Sequence, residues 1–145
     1  MTETKLDEID FKILEFLKND SRTPFTEIGD ALGIADSTVH LRVKKMIDER
    51  VINGFTIRVN DEAIGRVSCM LMLDVVPGHF ENVLPDLIKS DHVEEILELQ
   101  GQHVAVLKIS ANNLADLRDE IVRIRKIPNV TRTEMATILK TWKTK

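Results

Sequence analysis

Thr23-Pro24-Phe25-Thr26-Glu27-Ile28-Gly29-Asp30-Ala31-Leu32-Gly33-Ile34-Ala35-Asp36-Ser37-Thr38-Val39-His40-Leu41-Arg42-Val43-Lys44-Lys45-Met46 is the stretch that decides the N-terminal architecture. Thr23-Pro24 pairs a favourable N-cap with the proline that a first helical position tolerates. Phe25, Ile28 and Leu32 then share one face of a helix. Gly33 supplies the positive φ of a sharp turn. Asp36, Ser37 or Thr38 opens another helix, whose buried face is Val39, Val43, Met46 and Ile47. Helix, short glycine turn, helix is the helix-turn-helix pattern.

Upstream, Leu6, Ile9, Ile13 and Leu17 repeat at helical spacing and predict a first helix, with Phe11 alone on its opposite face. Downstream, Asn53-Gly54 between β-formers predicts a strand with a hairpin turn over Val51 to Val59. Asn60 to Gly65 reads as a hinge. Strands are then expected at Val67 to Val76, Val93 to Leu99, His103 to Ile109 and Val130 to about Lys140. Helices through Phe80, Val83, Leu84, Leu87 and Ile88, and over Asn112 to Arg125, complete a β-α-β-β-α-β order. The expectation is therefore an α+β chain: helix-turn-helix in residues 1–59, hinge in 60–66, and a ferredoxin-like βαββαβ domain in 67–145. Two helices cover one face of such a sheet, yet Val67 to Val76 is apolar on both. The open face is expected to bury itself against another copy, giving at least a homodimer.

With 145 residues, 43% hydrophobic and 30% charged, the chain has material for a true core. Apolar runs such as Met70 to Leu73 and Val104 to Leu107 fall far short of the ~20 residues of a membrane span. Met1 to Asp10 lacks the apolar region of a signal peptide. A single cysteine, Cys69, leaves no disulfide framework, so a soluble cytoplasmic protein is expected. The net charge is −4 and both halves are slightly acidic, so any DNA binding is local.

That local site is the second helix of the helix-turn-helix. Its outward face holds Ser37, Leu41, Lys44 and Lys45, flanked by Thr38, His40 and Arg42. Thr38, Arg42, Lys44 and Lys45 are placed to anchor phosphates, Ser37 and His40 to reach base edges, and Leu41 to pack on a thymine methyl. Asp36 would repel phosphate and fits a capping role. The competing reading is a merely solvated helix face, with Asp48 and Glu49 nearby. His40, His79, His92 and His103 lack metal-ligand spacing, and no glycine-rich phosphate loop or nucleophile motif occurs, so no metal or cofactor is expected. Glu94-Glu95 and Glu98 read as a solvated acidic edge. Trp142 beside Lys140, Lys143 and Lys145 either pins the C-terminus onto a neighbour or packs locally.

The strings Leu6 to Leu14, Asp20-Ser21-Arg22, Glu27 to Ile34, Ser37 to Met46 and Val51 to Phe55, with Gly101 and Ile127 to Thr133, resemble the leucine-responsive regulatory protein family, Lrp/AsnC. The resemblance implies a sequence-specific transcriptional regulator, with a winged helix-turn-helix hinged to a sensing and assembly domain. Its dimers would gather into tetramers or octamers on pseudo-palindromic double-stranded DNA. Amino acids would bind between dimers, at positions matching Gly101, Gln102, His103, Thr131 and Thr133. Three residues depart from the family pattern. Ala35 replaces a capping serine, Gly29 an alanine that hints at close packing, and Val104 an aspartate of the sensing loop. Residues 101–104 also fit an ordinary turn in which Val104 completes an apolar strand face. Siroheme decarboxylase subunits resemble the family in both halves, which makes a tetrapyrrole enzyme the alternative; the absence of tyrosine and the few histidines weigh against it.

Overall fold

A computed structural model describes residues 5–142, which divide between Arg58 and Val59 into two compact units. In the first, helices α1 (Glu8–Asn19), α2 (Phe25–Leu32) and α3 (Asp36–Asp48) enclose Ile13, Leu17, Ile28, Val39, Val43 and Met46. Each such buried side chain contributes about 1.5–3 kcal/mol over its exposed state. Asp7 and Asp10 form a reciprocal capping box at the start of α1: the Asp10 amide donates to Asp7 Oδ1 at 2.9 Å and the Asp7 amide to Asp10 Oδ2 at 3.1 Å. Thr23 does not cap α2. Pro24 holds that position, and the Thr23 hydroxyl donates instead to the Asp20 carbonyl, closing the preceding turn.

Gly33 ends α2 at φ +68°, its amide donating to the Gly29 carbonyl. Gly29 is buried against the turn itself: a Cβ there would stand 2.7 Å from the Ile34 carbonyl oxygen and 3.3 Å from the Asp36 nitrogen. The close packing hinted at by this glycine is thus an approach of α2 to the backbone entering α3. Ile47, expected inside, is exposed; one residue past buried Met46, it is rotated about 100° away.

Val51 to Val59 forms no strand, contrary to the sequence expectation. Arg50 turns the chain at φ +58°, and the Val51 and Ile52 amides donate to the Met46 carbonyl at 2.8 and 3.0 Å. That folds the short first arm back onto the helical core. Gly54 lacks the positive φ of a tight hairpin turn, and no second arm remains for residues 55–59 to pair with.

The second unit contains β1 (Val67–Val75), α4 (Phe80–Ile88), β2 (Val93–Glu98), β3 (Ala105–Ala111), α5 (Leu114–Arg125) and β4 (Val130–Thr137). The strands form one antiparallel sheet in the order β2-β3-β1-β4. Cys69, Leu71, Leu73 and Val75 alternate inward with Leu107 and Ile109 beneath Val83, Leu87, Leu117, Ile121 and Ile124 of the helices. Met70, Met72 and Asp74 face the other way and are half-buried. β3 begins at Ala105, because residues 100–104 bend first. Within that bend the Val104 amide donates to Leu73 and its carbonyl accepts from Leu99, tying the ends of β1 and β2 together.

The linking residues are fixed to the second unit. Glu62–Ile64 is a single 3₁₀ turn closed by Gly65. Asp61 Oδ2 accepts from Ser68 Oγ at 2.7 Å and from Ser110 Oγ at 3.3 Å.

Candidate nucleic-acid interface and sensing face

The N-cap of α3 is Ala35, which makes no side-chain cap bond. Asp36 takes over part of the role: its Oδ1 accepts the Ser37 amide at 2.7 Å, satisfying one of the unpaired donors of the first turn. Ser37, His40, Leu41, Lys44 and Lys45 are all exposed, and Leu41 shows 67% of its surface. They occupy the first two and a half turns, a stretch of about 12 Å that fits a major groove. His40 is steadied by the Phe25 ring of α2, centroid to centroid 5.6 Å. Lys45 has only a loose exposed contact with Glu49, 3.9 Å, and Lys44 forms no ion pair among the described residues. Both ammonium groups are therefore available to phosphates.

Thr38 and Arg42 sit half-buried at the edge of this face. Arg42 points back into its own unit: one nitrogen, Nη1, donates at 2.8 Å to both Asp7 Oδ2 and Asp10 Oδ1. In the single chain the guanidinium expected from sequence to anchor a phosphate is therefore engaged as a clamp between α3 and the capping box of α1. The Asp10 amide and then the Arg42 guanidinium hold the Asp7 carboxyl below its usual range. Sequence reasoning missed the two aspartates as partners of Arg42, although Asp7-x-x-Asp10 before an apolar helical stripe is a legible capping signal.

The residues expected at the effector site fall into two groups. His103 lies on the open sheet face, with Nδ1 3.2 Å from both carboxylate oxygens of Asp74 in β1 and Nε2 3.6 Å from Glu134 in β4. Glu134 also pairs with Arg132. Gly101 and Gln102 are exposed in the adjoining bend. Val104 packs against the core cluster, which accounts for an apolar residue at that position. Thr131 and Thr133 line a separate shallow depression of about 280 Å³ with Arg125, Val130 and Arg132. There Arg125 Nε donates to Thr133 Oγ1 at 2.7 Å. Within one chain the fold does not bring His103 and the two threonines into one pocket. The signal for Asp74 was present in the sequence as the only charge in an apolar strand; Glu134 could be found only from the β1–β4 register, in which Met72 faces Glu134 and Asp74 faces Arg132.

The polar Asp61 cluster extends across the same face at its other end. Ser68 and Ser110 hydroxyls lie 2.9 Å apart, Lys108 Nζ reaches Glu94 at 2.7 Å, and Arg66 lies 3.5 Å from Glu94. Among the described residues no group of acidic, histidine or cysteine side chains is placed to hold a metal ion. Nor is any helix there long and apolar enough to cross a membrane.

Residues 6–47 match the family description "AsnC-type helix-turn-helix domain", and residues 68–145 match "Lrp/AsnC ligand binding domain". The chain is 36% identical over 139 residues to the HTH-type transcriptional regulator FL11 of Pyrococcus abyssi, covering 95% of this chain and 92% of the relative. It is 38% identical over 136 residues to the HTH-type transcriptional regulator LrpA of Pyrococcus horikoshii, covering 92% and 96%. Among solved structures, that of E. coli AsnC superposes with a TM-score of 0.82 at 25% identity, covering 97% of each chain.

Proposed function

The chain belongs to the Lrp/AsnC family of transcriptional regulators, with a DNA-binding helix-turn-helix and a ligand-binding domain, and from that premise we propose how it reads DNA. Two copies present their α3 helices to successive major grooves of a pseudo-palindromic operator, about one helical turn apart. Lys44, Lys45 and Thr38 contact phosphates, Ser37 and His40 reach base edges, and Leu41 meets a thymine methyl. The observation that carries this reading is the exposed polar and basic face of α3, on which Lys44 forms no ion pair among the described residues and Lys45 only a loose one. Arg42 acts as a positioning residue, fixing the angle of α3 against α1.

The protein works as a homodimer or a larger ring in the cytoplasm and catalyses no reaction; its relatives are named as regulators, which does not favour the tetrapyrrole-enzyme alternative. Its effector is a small zwitterion such as an amino acid. Asp74 and Glu134 beside His103 offer the negative charge that Val104 lacks, and Arg125 with Thr131 and Thr133 offers donors for a carboxylate. Separate copies bring the two groups together.

Fluorescence anisotropy of labelled DNA from immediately upstream of the protein's own gene, against a shuffled fragment of equal length at two salt concentrations, tests the proposal. Tighter binding of the native fragment, weakened by salt on both, is expected. Equal affinity for both fragments would count against sequence-specific reading by α3 and favour the tetrapyrrole-enzyme alternative.

A further inference from the structure

We propose that the groove between α4 and β2 receives the C-terminal segment, Leu139 to Lys145, of a second copy of this chain. The groove has a volume of about 450 Å³. Its walls are apolar, from Phe80, Leu84 and Ile88 of α4 and Ile96 of β2, and Ile88 alone leaves 65% of its surface in water. Along the β2 side the rim is acidic. Glu94 is already engaged by Lys108 at 2.7 Å, whereas Glu95 and Glu98 are exposed and form no ion pair among the described residues. A trough with an apolar floor and unspent carboxylates calls for an apolar segment carrying positive charge.

The chain carries such a segment. After the Ile138 amide donates to the Ser68 carbonyl, the backbone makes no further sheet bonds among the described residues. Leu139 is 89% exposed and Trp142 is 86% exposed, the two most exposed large apolar side chains among the described residues. Lys140 lies over the Trp142 ring at 4.6 Å, and the sequence adds Lys143 and Lys145, which lie outside the described residues. Burying a tryptophan removes roughly 150–250 Å² from water. Leu139 and Trp142 thus match the apolar floor, and the lysines match Glu95 and Glu98.

The copy supplying the segment is a different one for a topological reason. The tail leaves from β4, while the groove lies beside β2 at the opposite edge of the order β2-β3-β1-β4. Three strand spacings of about 4.8 Å separate the two edges, and Leu139 and Trp142 stand in solvent in the single chain. Seating one chain's tail in the next chain's groove leaves that chain's tail free for another. Such contacts build chains or closed rings beyond a dimer. The proposal does not depend on DNA binding and is tested without it.

Two single variants, Ile88→Cys and Leu139→Cys, are purified separately, mixed and oxidised. Cys69 is fully buried and leaves the background quiet. Mass spectrometry is expected to find a 88–139 disulfide between copies, and adding Glu95→Lys with Glu98→Lys to the groove partner is expected to abolish it. Trp142, the only tryptophan, provides a second readout in the otherwise unaltered full chain. Its emission is expected to shift to the blue as protein concentration rises and to return towards that of exposed indole in the Glu95→Lys, Glu98→Lys variant. Absence of the interchain disulfide, a disulfide indifferent to the charge reversal, or solvent-like Trp142 emission at every concentration would overturn the proposal.

Discussion

Arg42 Nη1 stands 2.8 Å from Asp10 Oδ1, and Asp10 is 6% exposed. Helix α3 is therefore held by an ion pair to a nearly buried carboxylate that also belongs to the capping box of α1.

Removing the guanidinium leaves that carboxylate desolvated without its partner. Arg42→Ala is expected to lower unfolding free energy in urea by about 1–3 kcal/mol and to weaken DNA binding while keeping its salt slope. Unchanged stability with a flatter slope would instead make Arg42 a phosphate contact.

Lys44 and Lys45 are expected to behave in the opposite way. Each change to Ala should leave thermal stability unaltered and reduce the slope of log affinity against log salt by about 0.9 per lost phosphate contact. Ser37→Ala and His40→Ala should relax sequence preference with less change in slope. Full affinity and slope in the Lys44→Ala, Lys45→Ala double variant would refute this docking of α3.

Gly29→Ala sets helix propensity against sterics. Alanine gains up to ~1 kcal/mol in a helix interior, but its Cβ would lie 2.7 Å from the Ile34 carbonyl oxygen, a backbone atom that cannot swing aside. A net loss of about 1–3 kcal/mol is expected, read as a lower melting temperature. A gain in stability would show that the turn yields at little cost.

Glu120 predicts acid sensitivity of the second unit. Burial pushes its carboxyl upward, but the Arg123 guanidinium at 2.7 and 2.9 Å, the Ser90 hydroxyl at 2.7 Å and the nearby His92 outweigh it, so the carboxyl is held below its usual value. A lowered native value means the folded state binds the proton less well than the unfolded chain. Its stabilising contribution is complete above the ordinary glutamate value of about 4.3 and fades as pH falls through the lower native value. Glu120→Gln is expected to lower stability near neutral pH and to flatten the acid limb of the stability curve. An acid limb identical to that of the unaltered protein would exclude Glu120 as a contributor.

Much of the candidate site was readable because its signals are local. The Val39, Val43 and Met46 stripe places Ser37, Leu41, Lys44 and Lys45 outward by helical geometry alone, and they are exposed in the structure. The Val51 to Val59 strand was misread because Asn53-Gly54 specifies a turn only when both flanking arms exist, and Val51 and Ile52 fold back to Met46. Arg42 could not be placed from its helix position either, since its partners lie 32 and 35 residues away.

By itself the sequence determined the helix-turn-helix, the Gly33 turn and the β-α-β-β-α-β order, because helical periodicity, strand alternation and turn chemistry act over a few residues; the resemblance to a regulator family rested on matching strings of residues. Only the tertiary structure decided that Arg42 clamps α1, that Asp74 and Glu134 flank His103, and that Leu139 and Trp142 stay in solvent while an apolar groove opens at the far edge of the sheet. Those relationships depend on which helix crosses which and which strand lies beside which, and such pairings are selected by burial of the whole core rather than by any short stretch of chain.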